Sequence, residues 1–159
     1  MKISINYTLI LVATIVWCAA IVLAPVLATM GNAPRISAEM YQFFGKVCHQ
    51  IDSRSLHIGG EKFAVCARCS AIYFSFLAML LVYPFLPKIT IKESRLWILV
   101  IILPMLLDVL LDAIGIHAST ISTRLCTGSF FGLGIAYLLL PDLEHGISGF
   151  ITTLKNHFE

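Results

Sequence analysis

Residues 8–29 read TLILVATIVWCAAIVLAPVLAT, a run without one charge. A hydrocarbon core about 30 Å thick needs about 20 apolar residues in a helix, and this run supplies them. Three further runs repeat the signal. Residues 70–86 (SAIYFSFLAMLLVYPFL) end at Pro84 and Pro87, and residues 96–116 (LWILVIILPMLLDVLLDAIGI) are apolar except for two aspartates. Residues 125–140 (LCTGSFFGLGIAYLLL) are shorter and lie between Arg124 and Pro141-Asp142. Composition agrees: 58% of the chain is hydrophobic and 13% charged, against about 25% charged in soluble domains, which need that polar surface. The expected fold is therefore an all-α integral membrane protein with one domain over residues 1–159. Its spans are expected at about 8–29, 70–86, 96–116 and 125–140, with a Cys/His loop over 30–69.

The first run exceeds the apolar core of a signal peptide, so it is read as an uncleaved anchor. Four spans place the loop 30–69 and the segment 117–124 on one face, and both termini on the other. Lys2, Lys88, Lys92, Arg95 and Lys155 lie on the terminal face, and Arg35, Lys46, Arg54, Lys62, Arg68 and Arg124 on the opposite one. The plain count decides nothing; discounting Arg54, Arg68 and Arg124 as site residues tilts it toward cytoplasmic termini in the cell membrane. The net charge of +2 and the lack of a dense Lys/Arg cluster point away from nucleic acid and toward membrane lipids as partners.

Within the loop, Ser37 is a plausible N-cap for a helix over 38–50, where Met40, Phe43, Phe44 and Val47 recur at the spacing of an amphipathic interfacial helix. Residues 52–62 are polar, contain Gly59-Gly60, and read as a turn. The tail from Gly146 reads as a short interfacial segment.

The cysteines are unevenly placed. Cys18 sits inside the first run, where a small hydrophobe is the ordinary reading. Cys48, Cys66 and Cys69 share the loop, and Cys126 opens the fourth run at the same face. Cys48-His49 with Cys66-Ala67-Arg68-Cys69 has the ingredients of a tetrahedral zinc site. Adjacent Cys48 and His49 diverge in a regular helix, which leaves His57 or His117 as substitutes for His49. The same CxxC suits a second chemistry. Cys69 begins the second span with Arg68 beside it, so a helix dipole and a guanidinium both favour its thiolate. That arrangement looks like a quinone-linked thiol oxidoreductase, although Cys48 has no partner in the loop. The plain reading is packed thiols or a single disulfide.

Asp108 and Asp112 stand one helical turn apart on one face of the third span. Ionisable groups at that depth are functional candidates by default. Arg124, at the matching end of the fourth span, is the expected partner. The pair reads either as an Asp–Arg lock between helices or as a proton, cation or headgroup site beneath the loop. Ser119, Thr120, Ser122 and Thr123 add hydroxyls there. Gly128-Ser-Phe-Phe-Gly132 is a GxxxG that lets helices approach, and is read as packing.

Taken together, CHQIDSRS, VCARCSAIY, PMLLDVLLD and STISTRLCTG resemble the bacterial and archaeal membrane-protein family catalogued as domain of unknown function 2085. The likeness runs over about 46–135. It implies site positions at Cys48, His49, Gln50, Arg54, Ser55, Gly59, Cys66, Arg68, Cys69 and Tyr73, then at Pro104, Asp108, Ser119, Thr120, Arg124 and Gly128. The chain departs from the pattern at Ala64 (proline expected), Asp112 (glutamine) and Ile121 (asparagine). The resemblance implies no activity. Three functions compete: a zinc site on Cys48, His49, Cys66 and Cys69; a thiol–disulfide oxidoreductase on Cys66 and Cys69; and a transporter or proton relay on Asp108, Asp112 and Arg124. The last would need a homo-oligomer, because four helices are few.

Overall fold

The computed structural model describes residues 5–31, 33–86, 95–116 and 118–158. Lys2, Lys88, Lys92 and His117, which entered the reading above, lie outside the described residues. The described chain is mostly helical: α1 (Ile5–Met30), α2 (Pro34–Phe44), α3 (Ala67–Val82), α4 (Arg95–Ala113) and α5 (Ile121–Phe158). Between α2 and α3 stand two short strands, β1 (Ser55–Ile58) and β2 (Glu61–Cys66). The expectation of an all-α fold is therefore corrected.

Gly59 and Gly60 both adopt positive φ, at 59° and 89°, and Ile58 pairs directly with Glu61. A two-residue connection with both central residues left-handed matches the twist of an antiparallel hairpin. The stretch 52–62 expected as a turn is therefore corrected: it holds a 3-10 turn at Asp52–Arg54, all of β1 and the start of β2, and only Gly59-Gly60 form the tip of the ribbon that runs to Cys66.

Three segments, Ile5–Met30, Ala67–Phe85 and Ile121–Leu140, are long and apolar enough to cross a membrane. Among the described residues that is three, against the four expected. The remaining run forms α4, which ends at Ala113 rather than Ile116. The tail from Gly146 is not a separate segment, because α5 continues past Pro141 to Phe158.

Helix α2 begins four residues before the expected 38–50 segment and ends earlier. Pro34 sits in its first turn and Ala33 precedes it; proline suits that position because its missing N–H would have had no intrahelical partner. Ser37, expected as the cap, lies inside the helix, and its hydroxyl donates to the Ala24 carbonyl of α1 at 2.8 Å. Phe44 is buried, and Phe43 and Phe44 meet Trp17 edge-on at ring separations of 5.6 and 5.2 Å.

Helices α3 and α5 make the closest approach in the fold. A Cβ added at Gly132 would lie 2.0 Å from Ser75 Oγ and 2.5 Å from the Ile72 carbonyl oxygen; one added at Gly128 would lie 2.7 Å from the Arg68 carbonyl oxygen. The GxxxG is a packing seam, as its spacing suggested. It also holds the first turn of α3 against α5, which fixes where the CxxC stands.

Candidate functional site

Three thiols converge. The sulfurs of Cys48, Cys66 and Cys69 all lie within 4.8 Å of one another. Cys66 and Cys69 sulfurs stand 3.5 Å apart, and all five cysteines of the chain are free thiols. Each comes from a different setting. Cys48 follows the turn that closes α2, Cys66 ends β2 and precedes α3, and Cys69 is in the first turn of α3. The first N–H groups of a helix have no intrahelical acceptor and carry partial positive charge, which favours thiolates beside them.

The local chain is bent to this end. After Cys48 the backbone reverses at Gln50, the one non-glycine residue with positive φ among the described residues (51°). The Gln50 amide nitrogen then donates to the carbonyls of Tyr41 (2.7 Å) and Ala64 (2.8 Å), tying α2 to β2. Lys62 Nζ donates to the Gln50 carbonyl at 2.9 Å, and the Tyr41 hydroxyl donates to the Lys62 carbonyl. Ser55, fully buried, pairs across the hairpin with Cys66 and donates its hydroxyl to the Ile51 carbonyl at 2.8 Å. The result places the Cys66 N–H 3.2 Å from the Cys48 sulfur. Hydrogen bonds from the Cys66 and Cys69 thiols hold the Cys48 thiol well below the ordinary thiol range, against a smaller opposing effect of burial.

Beside the thiols lies an ion-pair network. Arg68, inside the CxxC, donates through Nη2 to Asp108 Oδ2 and to Ser119 Oγ (3.3 Å). The Thr127 hydroxyl lies 3.3 Å from the same Asp108 oxygen and 2.8 Å from the Thr123 carbonyl, so its single proton is shared between the two acceptors. Asp112, in the last turn of α4, sits at the negative end of that helix dipole. Compensation comes from three sides: Arg124 Nη2 at 2.9 Å, the Ser119 N–H at 3.0 Å, and Arg54 Nη2 at 3.5 Å. Arg124 also donates through Nε to the Ser119 carbonyl at 3.2 Å. Asp108 and Arg124 are buried, whereas the Arg54 side chain keeps 44% of its exposure. The Arg54–Asp112 contact puts the Cys/His loop and the segment entering α5 at the same end of the bundle.

The expected partners are thus divided. Arg124 takes Asp112, as anticipated, while Asp108 belongs to Arg68, whose proximity to Cys69 had drawn attention only to the thiol. Thr127 was not singled out, although it lies one turn after Arg124 on the same helix. His49 is exposed and is not among the converging ligand groups. His57 is also exposed and faces Asp52 at 3.2 Å. Cys126 is exposed and outside the cluster. The Tyr73 ring meets Trp17 at 5.7 Å, and its carbonyl accepts from the Cys18 thiol at 3.5 Å, so Tyr73 packs behind the cluster.

This architecture is that of a helical membrane protein with a three-thiol centre at one end of its helices. More narrowly, the chain belongs to the family described as "Predicted membrane protein (DUF2085)", whose model matches residues 48–138. The match opens on Cys48 and spans both clusters. Over 141 residues the chain is 34% identical to the uncharacterized protein MJ1492 of Methanocaldococcus jannaschii, covering 85% of this chain and 90% of that protein. No solved structure matches the chain.

Proposed function

We propose that this is a multi-pass cell-membrane protein that binds one transition-metal ion, zinc, through Cys48, Cys66 and Cys69. The observation that carries this reading is the convergence of three sulfurs within 4.8 Å. Zn–S bonds of about 2.3 Å in a tetrahedron set sulfurs about 3.8 Å apart, so the three thiols need little movement to close on one ion. The Cys66 N–H 3.2 Å from the Cys48 sulfur favours the thiolate there, the form that zinc requires. The fourth position falls to an exogenous group or to His49 turning inward. An exogenous group would leave the ion able to polarise a substrate at the membrane face.

We read α4 as the fourth span. Leu99, Leu103, Leu106, Leu107 and Leu110 are about half exposed along its length, a surface that lipid solvates and water does not. Four spans put both termini on one face, and the ion-paired state of Arg54, Arg68 and Arg124 supports discounting them in the positive-inside count. That favours cytoplasmic termini, with the metal centre on the opposite face.

Elemental analysis of the detergent-purified full chain tests the metal. About one zinc per chain is expected, falling below about 0.1 in the Cys66→Ser/Cys69→Ser variant. Metal below that level in the wild type, with Cys66 and Cys69 trapped as a disulfide that reductant opens, would overturn the reading in favour of a redox dithiol.

A further inference from the structure

The ion-pair network does not balance. Arg54, Arg68 and Arg124 bring three permanent positive charges, because guanidinium keeps its proton, and Asp108 and Asp112 bring two carboxylates. Counted over these five side chains alone, one positive charge is left over. The other described carboxylates stand elsewhere: Asp52, two residues from Arg54, faces His57 at 3.2 Å, Glu39 faces Arg35 at 3.7 Å, and Glu61 sits beside the Gly59-Gly60 tip, paired with Ile58. Two of the three arginine side chains are largely desolvated, with Arg68 keeping 13% and Arg124 4% of their exposure. In such surroundings a surplus charge is costly unless a counter-ion meets it.

Two donors show where a counter-ion would bind. Arg68 Nε is buried and has no hydrogen-bond acceptor. The Arg54 side chain makes one long ion pair, 3.5 Å to Asp112, and keeps 44% of its exposure. Both are tied to the same short segment. Arg54 precedes Ser55, the cross-strand partner of Cys66, and Arg68 lies between Cys66 and Cys69. The N-terminus of α5, where Thr120 Oγ1 accepts from the Thr123 N–H at 3.2 Å, adds the positive end of a helix dipole. Planar guanidinium forks match phosphate oxygens in bidentate fashion.

We propose that Arg54, Arg68 and Arg124 form a binding site for a phosphate group, entered past Arg54, with the phosphate carried by an anionic lipid headgroup or by a soluble phosphate. The site stands apart from the metal reading and needs no metal to bind.

The test uses the full chain in nanodiscs of phosphatidylcholine, titrated calorimetrically with inorganic phosphate. A second preparation carries a minor fraction of phosphatidylglycerol, and its retained lipids are counted by native mass spectrometry. Arg54→Gln removes the exposed fork from an open position; Arg54→Lys keeps the charge and loses the fork. Saturable phosphate binding weakened by about tenfold or more in Arg54→Gln, and less in Arg54→Lys, supports the site. Phosphatidylglycerol retained above its bulk fraction and displaced by phosphate assigns the lipid source; phosphate binding without lipid enrichment assigns the soluble one. Equal binding by wild type and Arg54→Gln overturns the proposal, and so does the absence of both phosphate binding and lipid enrichment in the wild type. Zinc content measured on the same samples separates the two readings. Metal-free protein that still binds phosphate through Arg54 sinks the zinc site alone, and zinc-loaded protein with neither phosphate binding nor lipid enrichment sinks this one alone.

Discussion

Arg68→Ala should destabilise the folded chain by about 3–5 kcal/mol, the cost typical of breaking a buried ion pair from one side. Asp108 is 8% exposed and has two described side-chain partners, Arg68 and the Thr127 hydroxyl at 3.3 Å. Without Arg68 the carboxylate keeps only a hydroxyl whose single proton it shares with the Thr123 carbonyl, too little to stabilise a charge removed from water. Ser119 would lose its guanidinium contact as well, and with it part of what holds the entry to α5 over the CxxC. Asp108→Asn should cost less, since the amide still accepts a hydrogen bond and leaves Arg68 its Ser119 contact. The informative variant is the double Arg68→Leu/Asp108→Leu. If the pair is a lock between α3 and α4, apolar replacements of similar volume should recover much of the stability that Arg68→Ala loses. Denaturation of the detergent-solubilised variants reads the difference. Arg68→Ala unfolding within about 1 kcal/mol of wild type would remove the pair from the stability account.

What could be read from the sequence divides along physical lines. The three segments that meet the requirement for a membrane crossing were visible because span length and charge exclusion are strong, local constraints. The Asp112–Arg124 pair was visible because both residues stand at matching ends of consecutive helices. The hairpin was not. Strands of this kind are recognised by alternation, yet Phe63, Ala64 and Val65 are buried in succession because β2 packs against α1, α2 and α3. The Gly59-Gly60 tip was noticed as a turn, but its flanks carried no period to mark them as strands. The three sulfurs can be grouped from their spacing, and the absence of His49 beside them agrees with the divergence of neighbouring side chains at Cys48 and His49, whereas the left-handed backbone at Gln50 has no sequence signature. Arg68 was assigned to the thiols for being next to Cys69 in the chain, and helical geometry turned it toward Asp108 instead. Adjacency in sequence is a poor guide to side-chain direction in the first turn of a helix.

Gly132→Val should abolish the native packing of α3 on α5, and Gly132→Ala should already cost about 3 kcal/mol, the upper end of ordinary overpacking. The first added carbon would lie 2.0 Å from Ser75 Oγ, 2.5 Å from the Ile72 carbonyl oxygen and 3.0 Å from Ile72 Cα. The hydroxyl can rotate away, but the carbonyl and Cα belong to the α3 backbone, so relief requires the helices to separate. Gly128→Ala meets the Arg68 carbonyl at 2.7 Å and should follow closely. Gly134→Ala is the side-chain comparison: its clash, also near 2.7 Å, is with the buried, β-branched Ile101 side chain of α4 and not with backbone, so about 2 kcal/mol is expected. The order Gly132, Gly128, Gly134 therefore distinguishes backbone contact from side-chain contact, which helix propensity alone would not do, since it favours alanine over glycine at all three. The consequence reaches the site because α3 carries Cys69 and Arg68 in its first turn, and Gly128 touches that turn directly. Parting the seam should loosen the thiol cluster and the Arg68–Asp108 pair together, so bound zinc and thermal stability should fall in the same order across the three variants. A Gly132→Ala protein as stable as wild type would mean that the helices do not meet at this seam.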